Sequence, residues 1–168
     1  MIKYPLQRLL RLRFIREDKA AAEVTRRKQL LAEAKLEKIR CEKELADYRE
    51  WRIEEEKRLF DAIKGKEISQ KELDAYKHEL LKLRGKEVQL EERIFEAQKQ
   101  IDRCEQNLQE ARDAYLGAVK ERKKIEEHRS RWVEIEKLRQ EREEEKELEE
   151  FIPKKRSLVS DGMSQEES

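Results

Sequence analysis

Residues 64–72 read Lys64-Gly65-Lys66-Glu67-Ile68-Ser69-Gln70-Lys71-Glu72, and they hold the one turn signal of an otherwise unpunctuated chain. Lys64-Gly65 supplies a basic last-turn residue and then a residue able to take the left-handed conformation that closes a helix. Ser69-Gln70-Lys71-Glu72 is a capping box, in which the serine oxygen accepts from the Glu72 backbone N–H and the glutamate reaches back to the serine N–H. Ile68 and Leu73 are spaced to form the hydrophobic staple across it. One helix ends in this run and another begins.

Outward from the turn, the breakers of helices are scarce. The chain holds 2 prolines, Pro5 and Pro153, and 4 glycines, at 65, 85, 117 and 162. Pro5 suits a first helical turn, where its missing N–H has no intrahelical partner to lose, and the ring of Pro153 is expected to end the second helix. Helix is therefore expected over about 5–64 and about 70–152, with the turn at about 65–69.

The second helix carries a heptad. Leu73, Leu80, Ile94, Ile101, Leu108 and Tyr115 occupy one seam position, and Tyr76, Leu83, Leu90, Ala97, Cys104, Ala111, Ala118, Ile125 and Trp132 the other, with Glu87, Arg122 and Arg129 as breaks. Gly85 and Gly117 fall on the outer face, where each costs about 1 kcal/mol of helix propensity without opening a hole in the seam. The first helix repeats more loosely, through Leu6, Leu10, Ala20, Val24, Leu31, Ala34, Cys41, Leu45, Tyr48, Leu59 and Ala62, interrupted by Arg13, Glu17, Arg27, Lys38, Arg52 and Glu55.

A sustained 3.5-residue period requires a partner helix. The short connection makes the first helix that partner, antiparallel and in the same chain. The expected fold is all-α: a long antiparallel two-helix coiled-coil hairpin over residues 1–152 with a C-terminal helical overhang. Folding back near residue 67 places Cys41 opposite about residue 93, Cys104 opposite about residue 30 and Pro5 opposite about residue 129. At ~1.5 Å per residue the paired part is then ~90 Å long, with roughly 23 residues, or ~35 Å, of the second helix projecting. Residues 153–168, with Lys154-Lys155-Arg156-Ser157 and little apolar surface, are expected to be a disordered tail.

Composition agrees with a line of burial rather than a thick core: 48% of residues are charged and 36% apolar. The 41 basic and 40 acidic residues leave a net charge of +1, which gives no general pull toward nucleic acid or an anionic membrane. No stretch approaches the ~20 apolar residues of a membrane span and none reads as a signal sequence, so a cytoplasmic protein without membrane insertion is expected. Cys41 and Cys104 lack companions at metal-ligand spacing and lie too far apart to bridge.

Enzyme chemistry finds no footing. There is no glycine-rich phosphate loop, no paired histidines at metal spacing and no Ser/His/Asp set, so no catalytic residue, metal or cofactor is expected. His78 and His128 read as solvated surface residues. The many Glu/Lys pairs three and four apart support the helix by a few tenths of a kcal/mol each.

Local charge is more informative. Residues 1–16 hold Lys3, Arg8, Arg11, Arg13 and Arg16 and no acid, and they are expected beside Lys120, Arg122, Lys123, Lys124, Arg129 and Arg131. That makes the open end of the hairpin electropositive and suited to an acidic protein surface. The overhang at 141–150 is mostly glutamate, against Arg142 and Lys146. No aromatic residues are interleaved with the bases for stacking, which disfavours nucleic acid. At the turn, Phe60, Ile63 and Ile68 read either as an apolar contact site or as the cap of the seam.

The opening Tyr4-Pro5-Leu6, followed by Leu9-Leu10 and Leu12 in a basic first turn, together with a capped mid-chain turn and a charged overhang, resembles the YscO/FliJ family. Its members are central stalk proteins of bacterial type III secretion, a virulence apparatus, and of flagellar export. The resemblance implies a shaft whose open end enters a hexameric secretion ATPase at the inner-membrane base of the apparatus and whose turn end reaches the export gate protein, with secretion chaperones as further partners. It assigns ATPase binding to Arg8, Arg11, Arg13, Arg16, Lys120, Lys123 and Lys124. Gate binding falls on Phe60, Ile63, Ile68, Tyr76 and Leu80, although Tyr76 and Leu80 lie on the seam. A stalk is expected to be monomeric on its own. Two other readings stay open: a self-associating coiled-coil adaptor, expected to be dimeric, and an escort for secretion chaperones.

Overall fold

A computed structural model of the chain describes residues 3–163, with side chains through residue 152. The helix α1 spans Gln7–Ile63 and α2 spans Gln70–Met163, forming the antiparallel hairpin. The chain divides into two compact units. One comprises Met1–Asp18 with Leu116–Ser168, the other Lys19–Tyr115.

The turn forms as its residues require. Gly65 has φ of 71°, which an L side chain rarely adopts, and the Lys64 N–H donates to the Phe60 carbonyl at 2.9 Å. The Glu72 N–H donates to Ser69 Oγ and the Ser69 N–H to Glu72 Oε2, both at 3.3 Å. The capping box is thus closed from both sides. Gly85 and Gly117 lie inside α2 with open space beside them.

In the unit of Lys19–Tyr115, the buried residues form a line rather than a volume. Ala34, Cys41 and Leu45 of α1 and Leu90, Ala97, Ile101, Cys104, Leu108 and Ala111 of α2 are its core, and all are seam positions of the heptads. Ala34, Ile101 and Cys104 pack together with Leu31 alongside, which sets the predicted level of Cys104. Small side chains at five of these positions let the two backbones approach closely.

The polar breaks in the two stripes meet each other. Glu87 breaks the α2 seam, and both Arg52 of the α1 stripe and the adjacent Arg49 turn onto it, at 2.8 and 2.9 Å. Arg49 also reaches Glu91 at 2.9 Å. Lys38 donates to Gln98 Oε1 at 2.7 Å, and the Tyr48 hydroxyl donates to the Leu83 carbonyl at 2.6 Å. Burial pushes the Tyr48 phenol up, so it remains a donor.

The same rule holds in the other unit. Arg122, the second break of the α2 seam, is paired with Glu17 of α1 and with Glu126 of its own helix. Its guanidinium also lies over the Phe14 ring. Leu10 is almost wholly buried, and Tyr4 closes the seam edge-on against Trp132 with ring centroids 5.5 Å apart. Beyond Trp132, α2 runs past the level of Tyr4.

One expectation fails. The backbone does not leave the helix at Pro153 but stays helical through Met163. A proline removes one hydrogen bond and strains one turn, a cost of ~3 kcal/mol, and the run of glutamate, lysine and arginine on both sides favours helix. Residues 164–168, the rest of the tail expected to be disordered, lie outside the described residues.

Two outcomes follow from this seam. Leu108→Ala, at a position only 5% exposed, should lower stability by ~2–3 kcal/mol in urea unfolding, whereas Leu81→Ala on the outer face should change it by less than ~0.5 kcal/mol. Reversing either charge of the Glu17 and Arg122 pair should lower the thermal midpoint by a few degrees, and Glu17→Arg with Arg122→Glu together should recover only part of it, because the exchanged carboxylate then stands against Glu126.

Candidate functional site

The residues of interest are those the seam does not consume. In the unit of Met1–Asp18 with Leu116–Ser168, α1 presents Arg8, Arg11 and Arg16 to solvent and α2 presents Lys120, Lys123 and Lys124. Arg8, Arg11, Arg16, Lys120 and Lys123 carry no ion pair among the described residues. The helix pairing brings these cations to one end of the hairpin, as their sequence positions suggested.

Arg13 is not free. It is three-quarters buried at a seam position and lies 3.7 Å from Glu121. Lys124 donates to the same carboxylate at 3.1 Å, and together with Arg13 it holds the Glu121 carboxyl below its ordinary range. Arg122 is taken up by Glu17 and Glu126, and the hydrogen bond it donates to Glu17 raises its guanidinium further. Counting bases alone overstated this surface, because Glu17, Glu121 and Glu126 are interleaved with them. The free cations are fewer and lie on the outward faces.

His128 departs from the solvated default. Its Nδ1 lies 2.6 Å from the Tyr4 hydroxyl, one donating to the other according to the imidazole tautomer, and the rings are 5.7 Å apart. The signal was Tyr4 itself, an aromatic ahead of Pro5 that the register puts level with His128 and Trp132. His78 is exposed on the outer face of α2.

In the unit of Lys19–Tyr115, Phe60 is about half exposed, while Ile63, Ile68, Tyr76 and Leu80 are partly buried. Ile63 and Ile68 cap the end of the seam, and Tyr76 and Leu80 are spent within it. Of the five candidate gate residues, Phe60 alone turns a large apolar surface outward.

Sequence reasoning missed larger apolar rows nearby. Leu81, Val88 and Phe95, one heptad apart on α2, are all more than half exposed, as are Ile39 and Ile53 on α1. In an antiparallel pair the corresponding flanks of the two helices fall on the same side. The Arg49 to Glu91 and Glu44 to Arg93 ion pairs mark the two opposite sides. The side of Arg49 carries these apolar rows. The other carries an open groove of about 680 Å³ lined by charged residues, among them Glu37, Arg40, Glu44, Glu92, Arg93 and Glu96. The period was legible in the sequence, but it was assigned only to the seam.

Nothing in this unit assembles a reactive group. Cys41 opens onto the groove, but burial pushes its thiol up and Glu37 adds to the shift, so it stays protonated at neutral pH. Cys41 and Cys104 are free and buried. Among the described residues no cluster of His, Cys, Asp or Glu could hold a metal ion, and no helix is long and apolar enough to cross a membrane.

Known proteins match along most of the chain. The family model for Type III secretion protein YscO matches residues 6–154. Yop proteins translocation protein O of Yersinia pseudotuberculosis serotype I (strain IP32953) is 31% identical over 114 residues, covering 64% of this chain and 74% of that protein. The crystal structure of type III secretion protein YscO from Vibrio parahaemolyticus superposes with a TM-score of 0.83 at 31% identity, covering 87% of this chain and 92% of that one. A proposed YscO homolog from Chlamydia trachomatis shares the fold at 20% identity, with a TM-score of 0.75 over 99% of this chain and 100% of its own. With the hairpin, the capped turn and a family match over residues 6–154, the chain belongs to the YscO family of type III secretion proteins.

Proposed function

We propose that this protein is the central stalk of a type III export ATPase complex, entering a hexameric secretion ATPase by its open end and reaching the export gate protein by its turn. The observation that carries the reading is the set of outward cations Arg8, Arg11, Arg16, Lys120 and Lys123, which have no ion pair among the described residues. Such a set is suited to an acidic protein surface, where complementary charge speeds encounter and fixes orientation. Arg13 and Lys124 contribute through the carboxylate they share, holding the two helices together beneath the contact. The stalk does no chemistry of its own and acts by occupying the ring. It works in the cytoplasm at the inner-membrane base of the apparatus.

At the turn, Phe60 is the residue offered to the gate, with Ile63 and Ile68 fixing the end from which it projects. A second reading, escort of secretion chaperones, draws support from the exposed row Leu81, Val88 and Phe95. It would use a different unit of the molecule from the ATPase contact, so both activities can reside in one chain.

The reading is tested by adding the purified protein to its hexameric ATPase and following phosphate release. The natural chain should raise the rate, and Arg8→Glu, Arg11→Glu and Arg16→Glu together should weaken the stimulation at least about tenfold while leaving the helical circular dichroism unchanged. Stimulation that survives the triple reversal rules out this face as the contact. Phe60→Asp should leave stimulation intact and remove binding to the gate protein.

A further inference from the structure

Within the unit of Lys19–Tyr115 the two sides of the hairpin are unlike. On the side marked by the Arg49 to Glu91 ion pair, α1 carries Ile39, Ala46 and Ile53 one heptad apart, with Phe60 next in the row at the turn. On the same side α2 carries Leu81, Val88 and Phe95 at the same spacing. Every one of them is exposed, all but Ala46 by about half or more. On the side marked by Glu44 and Arg93, the corresponding rows read Arg40, Asp47 and Glu54 on α1 and Lys82, Gln89 and Glu96 on α2. Pairing of α1 with α2 requires neither arrangement, because both lie outside the seam.

The two apolar rows are level with one another. The seam sets Arg52 against Glu87 and Ala34 against Ile101, so Ile53 stands roughly across from Leu81, Ala46 from Val88 and Ile39 from Phe95. Two apolar rims running side by side at a 3.5-residue period are the surface that a third helix fills in a coiled coil, with its own apolar row lying between them. An extended segment would turn successive residues to opposite faces and would meet this repeat at few of them.

The strip between the rims sets the chemistry of that helix. Its carboxylates are taken, Glu42 by Lys38, Glu56 by Arg52 and Glu91 by Arg49. Lys77 and Arg84, on the same strip toward the turn, are exposed and carry no ion pair among the described residues, and Lys57 on the outer flank of Ile53 is likewise unpaired. Farther from the turn, Glu50 and Glu92 outweigh Lys43, so the excess of positive charge is confined to the turn half.

We propose that this side of the hairpin binds one amphipathic helix of a partner protein, about three heptads long, whose apolar row lies between the two rims and whose acidic end meets Lys57, Lys77 and Arg84. The site rests on the second reading above only in taking the row of Leu81, Val88 and Phe95 as a contact, and a helix from a protein other than a chaperone satisfies it equally. Charge fixes the direction in which the helix lies, and the rims supply the apolar contact.

The full chain and a labelled synthetic peptide provide the test. The peptide has about 21 residues, with leucine at its a and d positions, glutamates flanking the leucines of one terminal heptad and glutamines elsewhere. Fluorescence anisotropy should report binding at micromolar concentration, and difference circular dichroism a gain of helix on mixing. Exchanging the glutamates for lysines should weaken binding at least about tenfold. Ile53→Asp with Val88→Asp should weaken it at least about tenfold, as should Lys77→Glu with Arg84→Glu. All of these side chains are exposed, so the helicity of the chain should be unchanged. Arg8→Glu with Arg11→Glu, at the open end, should leave peptide binding as it is, which separates this site from the cations assigned to the ATPase. No binding at about 1 mM peptide, equal binding of the lysine peptide, or indifference to either pair of substitutions at the site overturns the proposal. So does self-association of the chain in sedimentation velocity that Ile53→Asp with Val88→Asp abolishes, since a second copy is then the occupant. Neither ATPase nor chaperone takes part, so failure here leaves those readings standing.

Discussion

The register of the hairpin rests on two places where unlike charges meet inside the seam, Glu17 with Arg122 and Arg52 with Glu87. A leucine stripe by itself specifies register poorly, because sliding one helix by a heptad returns apolar residues to apolar surroundings. It does not return these pairs. A one-heptad slide sets Arg52 against Leu80 or Ile94 and leaves Glu87 facing Leu45 or Leu59. Each charge would then sit largely out of water with no counterion, a loss that apolar contacts elsewhere in the seam would not recover. Everything that depends on register follows from these pairs: the level of the cysteines, the closure of Tyr4 on Trp132, and the point where α2 leaves α1 behind.

That constraint also explains what could be read from the sequence and what could not. The heptad of α2 was legible because each seam position from Leu73 to Ile125 is at least partly buried, and Arg129 alone stands out of line before Trp132. The turn was legible because Gly65 and the box of Ser69 and Glu72 act locally. The ion pairs were not, since Glu17 and Arg122 are 105 residues apart and each looks like a defect within its own helix. Only when the two rows are laid together do the defects cancel. Pro153 was misread for the reverse reason: a local rule was applied where helix-favouring neighbours on both sides carry the backbone through.

The candidate surface was half legible. Arg8, Arg11, Arg16, Lys120 and Lys123 stand outward as expected, but the carboxylates that occupy Arg13, Arg122 and Lys124 lie one turn away or on the other helix. A count of charge along a sequence measures what a segment contains; what a partner meets is the remainder after the seam and its flanks are paired. In a hairpin only two helices wide, that subtraction removes much of the charge near the seam and leaves the outermost rows almost untouched.

The narrowness has a further consequence for the fold and its uses. A relative at 20% identity keeps the fold with a TM-score of 0.75, since the hairpin asks only for periodicity, a capped turn and a few matched charges. Residues outside the seam are thereby released from any structural duty. Where such residues nonetheless form rows, as Leu81, Val88 and Phe95 do on one side and Leu138, Leu148 and Ile152 do on the overhang, folding gives no reason for the pattern. Large apolar groups held in water at helical spacing gain nothing in the isolated chain. Their order points to contacts made with other surfaces, and the two rows differ enough in their flanking charge to call for different ones.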